Sequence, residues 1–172
     1  PGELLESVPG MIVTQPSGEG KANQYFLRGF NLDHGTDLRI TVDGMLVNQR
    51  AHGHGQGWAD TNFIIPELTS SLQYQKGPYY ADQGDFSSAG AIHMGYADTL
   101  PKGILSYGIG QQGFMRGLIA KSHQVGHGNF LYATELLTKD GPWIKHEDFN
   151  KFNSVLRYSQ NDGPTKFNIT AM

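Results

Sequence analysis

The sequence predicts a mainly β chain with little helix, and three observations carry that prediction. Glycine is abundant, at 23 residues, and aromatics make up 11%, while charged side chains are only 17%, a composition suited to short strands and turns rather than long surface helices. Leu38, Ile40 and Val42 alternate with Arg39 and Thr41 and run into Asp43-Gly44. Asp-Gly accepts the positive φ values of a two-residue type I′ turn, so a β-hairpin is expected there. Beyond Pro101 apolar and polar residues alternate in segments of about ten, the length a tilted strand needs to cross a bilayer.

Taken in order, residues 3–8 (Glu-Leu-Leu-Glu-Ser-Val) suit one helical turn, which Pro9-Gly10 breaks before the apolar run Met11-Ile12-Val13. The stretch 16–23 is a loop by composition. Tyr25-Phe26-Leu27-Arg28 reads as a short strand closed by Gly29, and 31–37 as another loop. The Asp43-Gly44 hairpin follows, with Met45-Leu46-Val47 as its return strand, and Gln49 to Trp58 is a Gly/His loop. Phe63-Ile64-Ile65-Pro66-Glu67-Leu68 leads into a strand at Leu72-Gln73-Tyr74-Gln75, ended by Lys76-Gly77-Pro78. Five further strands are expected near 103–110, 114–122, 129–138, 150–160 and 165–172.

In the first of these five, Leu105, Tyr107 and Ile109 share one face; in the last, Phe167, Ile169 and Ala171 oppose Lys166, Asn168 and Thr170. Such a sheet suits a barrel with lipid outside and water inside, and an ordinary soluble antiparallel sheet would show the same alternation. No apolar run approaches the ~20 residues of a membrane-spanning helix. Both ends look cut: the chain opens on Pro1-Gly2-Glu3 and stops within an alternating run, so it reads as a piece of something larger.

Several functions are excluded or unsupported. With 13 Lys+Arg against 16 Asp+Glu, the net charge of −3 offers no basic footprint for nucleic acid. The absence of cysteine excludes disulfides and thiolate metal sites. Gly108-Ile109-Gly110-Gln111-Gln112-Gly113 matches the dinucleotide fingerprint in spelling, but Phe114-Met115-Arg116-Gly117-Leu118 after it is strand-like, so a hairpin turn is expected. No Gly-x-Ser-x-Gly elbow, P-loop or His-Glu-x-x-His occurs, hence no enzyme activity and no cofactor are expected.

Five segments resemble, in order, the plug domain of TonB-dependent outer-membrane receptors. They are Val8-Pro9-Gly10 with Ile12-Val13; Phe26-Leu27-Arg28-Gly29-Phe30; Val42-Asp43-Gly44-Met45 with Val47-Asn48; Ile65-Pro66-Glu67-Leu68 leading to Gln75-Lys76-Gly77-Pro78; and Tyr80-Ala81-Asp82-Gln83-Gly84 through Ser88-Ala89-Gly90-Ala91-Ile92. The chain departs from the family at Ser70–Gln75, where charged residues are usual, and at Ala89-Gly90, where the family has a Gly pair. The resemblance implies a small mixed α+β plug over 1–98, followed over 99–172 by about five antiparallel strands of an incomplete transmembrane β-barrel. It also implies active import across a Gram-negative outer membrane, driven by the TonB energy-coupling complex through a segment upstream of Pro1. At ~10 residues per strand, a barrel of ~22 strands needs several hundred residues, so five strands cannot close it.

In this family the outward plug loops touch the ligand, and by the matching motifs these are 17–23, 31–37 and 49–58. The implied ligand-binding residues are Lys21, His34, Arg50, His52, His54 and Trp58. His52-Gly53-His54 places two imidazoles on one flexible loop, with His34 in a neighbouring loop, a donor set that suits zinc, copper or nickel. A metal chelate such as a ferric siderophore, touched by these histidines, is the expected cargo, and histidines hydrogen-bonded to backbone are the structural alternative. Trp58, Tyr79 and Tyr80 could stack on a sugar or peptide ligand or simply pack. Arg28 and Lys76 are expected to pair with plug or barrel-wall carboxylates.

Overall fold

Pro9-Gly10 ends the N-terminal helical turn as expected: a 3-10 helix covers Gly2–Ser7, and β1 (Met11–Thr14) follows. The computed structural model describes residues 2–32, 35–53, 55 and 57–172, in two units, Pro1–Tyr96 and Ala97–Met172.

In the first unit β1 pairs with β2 (Gln24–Leu27), which pairs with β3 (Phe30–Asn31). The connection is Arg28-Gly29, with φ of 53° and 83°. Two consecutive residues in the left-handed region make this a tight hairpin turn, so the strand does not simply stop at Gly29. β4 (Leu38–Val42) and β5 (Met45–Leu46) form the expected hairpin, with Asp43 and Gly44 at φ of 49° and 80°. Asp43 does more than turn the chain, because its carboxylate accepts from the Tyr96 amide at 3.0 Å.

A second sheet has the order β5-β4-β7-β6, with β6 at Thr69–Lys76 and β7 at Gly90–Tyr96. β4 and β7 run parallel, Leu38 facing Gly90 through Val42 facing Met94. A parallel pair must be covered on both faces, and here both strands are apolar and buried: Leu38, Ile40, Val42, Ile92 and Met94 form the core with Ile64, Ile65 and Leu68. Gly90 has φ +150°, and a Cβ there would lie 2.3 Å from the Gln75 carbonyl oxygen, so only glycine lets β6 approach β7.

Lys76 meets no carboxylate among the described residues. Its ammonium donates to the Pro9 carbonyl oxygen and lies 5.5 Å from the Tyr74 ring centroid. The Pro9-Gly10 turn sits beside the end of β6 and offers a carbonyl within reach of the ammonium. Arg28 pairs with no carboxylate among the described residues.

The second unit is one antiparallel meander, β8 (Ile104–Ile109), β9 (Met115–Val125), β10 (Gly128–Lys139), β11 (Phe149–Asp162) and β12 (Thr165–Ala171), each pairing with the next. All five expected strands are present, and Gly110 to Phe114 is a hairpin turn closed by the Gly110 amide on the Phe114 carbonyl at 2.9 Å. The register puts Leu105, Ile109, Ile119, Leu136, Phe152, Leu156, Phe167 and Ile169 on one exposed face. The opposite face carries Leu118, Ala120, Leu131, Ala133 and Val155 together with buried charges. Glu135, 1% exposed, accepts from Arg116 at 2.6 Å, Lys151 at 3.1 Å and Asn153 at 3.0 Å. Arg157, 2% exposed, donates to Asp98 at 2.9 Å, and Lys166 reaches the same carboxylate at 2.7 Å. Burial alone would raise the Asp98 carboxyl, but the hydrogen bonds and charges of Lys166 and Arg157 win and hold it below its ordinary value.

Candidate functional site

The Gly/His segment begins where β5 ends, and one side chain sets its origin. Asn48, 6% exposed, accepts from the Ile40 amide at 2.7 Å and donates to the Gly35 and Leu38 carbonyls at 2.6 and 2.8 Å. A primary amide is needed here, since it alone supplies an acceptor and two donors from one short side chain.

Immediately after it, Gln49 and Trp58 exchange backbone hydrogen bonds at 2.8 and 3.0 Å, and His52 and Gly55 do the same at 3.1 and 3.0 Å. The segment expected to be a flexible loop therefore has a paired stem. Its backbone groups satisfy one another across the loop, which composition could not reveal. Between the two bridges the His52 imidazole stacks on the Trp58 indole, with centroids 4.4 Å apart and planes 16° from parallel. Beside the stack an open cleft of about 400 Å³ is lined by Met45, Leu46, Val47, Gln49, Trp58, Asp60 and Phe63.

The other expected residues are distributed as follows. Arg50 reaches Asp85 at 3.5 Å, an exposed pair that ties the loop weakly to the segment before β7. Lys21 contributes its backbone carbonyl, which accepts from Gln15 at 3.1 Å and Asn62 at 3.2 Å. His34 and His54 lie outside the described residues. Tyr79 and Tyr80 are exposed.

Two other titratable groups of this unit are held in hydrogen bonds. The Tyr25 hydroxyl meets the Thr61 hydroxyl at 3.0 Å and is pushed up to about 12 by burial, with the Asp60 charge adding and the Thr61 hydrogen bond opposing. It stays protonated and structural. His93 is clamped between the Thr41 hydroxyl and the Gln83 side-chain oxygen, each at 2.7 Å. Because that amide oxygen only accepts, Nε2 of His93 carries the proton and Nδ1 accepts from Thr41. Burial first, and then the charge of Arg39, lower the imidazole below its ordinary value against the opposing pull of Asp82. His93 thereby fastens the short 3-10 helix Ala81–Gln83 to β7 as a neutral hydrogen-bonding link.

Sequence reasoning missed Gln49, Asp60 and Asp85 as parts of this site. Gln49 could have been found as the stem partner of an aromatic residue; nothing local marks Asp85, which meets Arg50 only through the fold.

The family profile described as the TonB-dependent Receptor Plug Domain matches residues 1–91. Among solved structures, the chain is similar to the FrpB iron transporter from Neisseria meningitidis in its apoprotein form, with TM-score 0.70 and 18% identity, covering 98% of this chain and 28% of that one. It is also similar to the ferric yersiniabactin uptake receptor FyuA from Yersinia pestis, with TM-score 0.63 and 20% identity over 98% of this chain and 28% of that one. The chain thus spans just over a quarter of the length of either.

Proposed function

We propose, from the premise that this chain belongs to the family of TonB-dependent receptor plug domains, that it gates the active import of a metal ion or metal chelate, such as a ferric siderophore, across a Gram-negative outer membrane. In this reading 1–98 is the plug and 99–172 supplies the first barrel strands. The TonB energy-coupling complex drives the import, and the protein transports rather than catalyses.

The observation that carries the cargo assignment is the stem-closed loop in which His52 stacks on Trp58. The stack fixes the imidazole plane, so a metal or the periphery of a chelate meets a pre-set ring. That the two similar structures are an iron transporter and a ferric-chelate receptor supports the same class of cargo. The exposed apolar face of β8–β12 supports contact with membrane lipid. In the complete receptor, replacing His52 and His54 together by alanine should weaken binding of the metal ligand at least tenfold; unchanged affinity removes the histidines from the site.

A second reading, import of an oligosaccharide or peptide, draws on the cleft beside the stack, where Met45, Leu46, Trp58 and Phe63 offer apolar surface and Gln49 and Asp60 offer polar groups. Induction by metal limitation favours the first reading, and induction by carbon limitation the second.

A further inference from the structure

We propose that Asp140, His146 and Asp148 form a separate metal site on the β10–β11 connection, one that takes a divalent cation of the zinc class. One ligand atom from each residue lies within 4.8 Å of the others, and His146 Nδ1 is 3.7 Å from the Asp140 carboxylate. In a tetrahedral zinc site with bonds of about 2.0–2.2 Å, ligand atoms stand roughly 3.4 Å apart. The side chains therefore need to close by up to about 1.4 Å around an ion. One imidazole nitrogen and two carboxylate oxygens leave a fourth position for water, a donor set that suits zinc better than an all-oxygen cation such as calcium.

A second element makes room for the site. Gly113, in the β8–β9 turn at φ +68°, faces the Asp140 carboxylate so closely that a Cβ there would stand 2.3 Å from its Oδ2. The Asp140 amide donates to the Gln112 carbonyl at 2.8 Å, and the Glu147 amide to the Asp140 carbonyl at 2.9 Å. Both ends of the ligand run are thus pinned before any ion arrives. The connection is the longest in this unit and leaves from the same end as the β8–β9 turn, opposite the tight turns at 126–127 and 163–164. Its exposure to the external medium rests on the barrel reading above, in which the longer loops face outward; the metal site itself does not.

Zinc chloride titrated calorimetrically into the complete, detergent-purified receptor tests the site. The wild type should bind one zinc equivalent whose Kd weakens at least tenfold in His146→Ala and in Asp148→Asn. Gly113→Ala, which removes no donor, should weaken it by displacing Asp140. A zinc equivalent lost in His52→Ala but kept in His146→Ala belongs to the plug loop and overturns the proposal, which keeps the result distinct from the import reading. Heat-modifiable migration of the barrel reports that each variant is folded. A wild type that binds no zinc, or wild-type affinity in either ligand variant, overturns the proposal.

Discussion

Asn48 is where the sheet hands over to the Gly/His loop, and its removal should be felt in both. In Asn48→Ala the Ile40 amide and the Gly35 and Leu38 carbonyls lose partners at 2.7, 2.6 and 2.8 Å in a site that is 6% exposed. Each buried group left unsatisfied costs about 1–3 kcal/mol. Carbonyls tolerate this better than amides, so the sum is set at about 3–5 kcal/mol, against the ~9 that three full penalties would give. A cost of about 4 kcal/mol is roughly a thousandfold in the local opening equilibrium. Hydrogen exchange measured on the peptide 38–48 in the complete receptor should show this as lost protection at Ile40. Asn48→Asp is the sharper perturbation: it keeps the acceptor for Ile40 but turns an oxygen toward two carbonyls, so it should be at least as damaging as alanine. Since Gln49 begins the stem that holds His52 against Trp58, ligand affinity should fall with it. Protection within threefold of wild type in Asn48→Ala, or an aspartate variant as well protected as wild type, would refute the reasoning.

Two further perturbations follow from the polar groups that the plug and the sheet bury. The lowered imidazole of His93 means that opened chain binds its proton more readily than the folded one, so its stabilising contribution is complete above pH about 6.5 and declines as the pH falls below that value. Limited proteolysis around 81–83 should accelerate between pH 7.5 and 5.5, and His93→Gln, which has no titrating proton, should flatten that dependence; an equal slope in both proteins counts against the link. Glu135→Gln removes the carboxylate that Arg116 and Lys151 share in a buried site and should cost about 3 kcal/mol, the low end for a broken buried pair. Its barrel should lose heat resistance by several degrees, and migration identical to wild type at every temperature would contradict this.

How much of this was legible depended on whether the signal is local. Asp43-Gly44 announces its own turn because both residues tolerate positive φ, whereas Arg28-Gly29 makes the same kind of turn with an arginine in a conformation few side chains adopt. The parallel pairing of β4 with β7 joins segments far apart in sequence, and no periodicity within either strand reports its partner. The stem of the Gly/His loop is held by main-chain groups of Gln49, His52, Gly55 and Trp58, so composition suggested an open loop where the backbone closes. Strand ends were misjudged for a related reason. β9 runs on through His123, Gln124 and Val125, and β11 through Asn161 and Asp162, because the ladder continues after the apolar alternation stops.

The alternation of β8 to β12 could not by itself separate a lipid-facing sheet from a soluble one, but the placement of charge can. A soluble sheet buries its apolar face and wets its charges. Here Leu105 is 85% and Phe152 67% exposed, while Glu135 and Arg157 are 1% and 2% exposed on the other side. Leaving a row of large apolar side chains in water is the wrong way round for an aqueous module, even with Leu118, Leu131 and Val155 buried beside the charges on the other face. It is the expected arrangement when the exposed face meets hydrocarbon and the polar face lines a lumen. Near the tight turn at 126–127, Phe130 and Tyr132 crowd His123 on that exposed face, with centroids 5.9 and 6.0 Å from its ring, where a barrel places aromatic residues at the membrane interface. An ordinary soluble sheet therefore has to explain why its largest apolar side chains are the exposed ones, and a lipid-facing sheet does not.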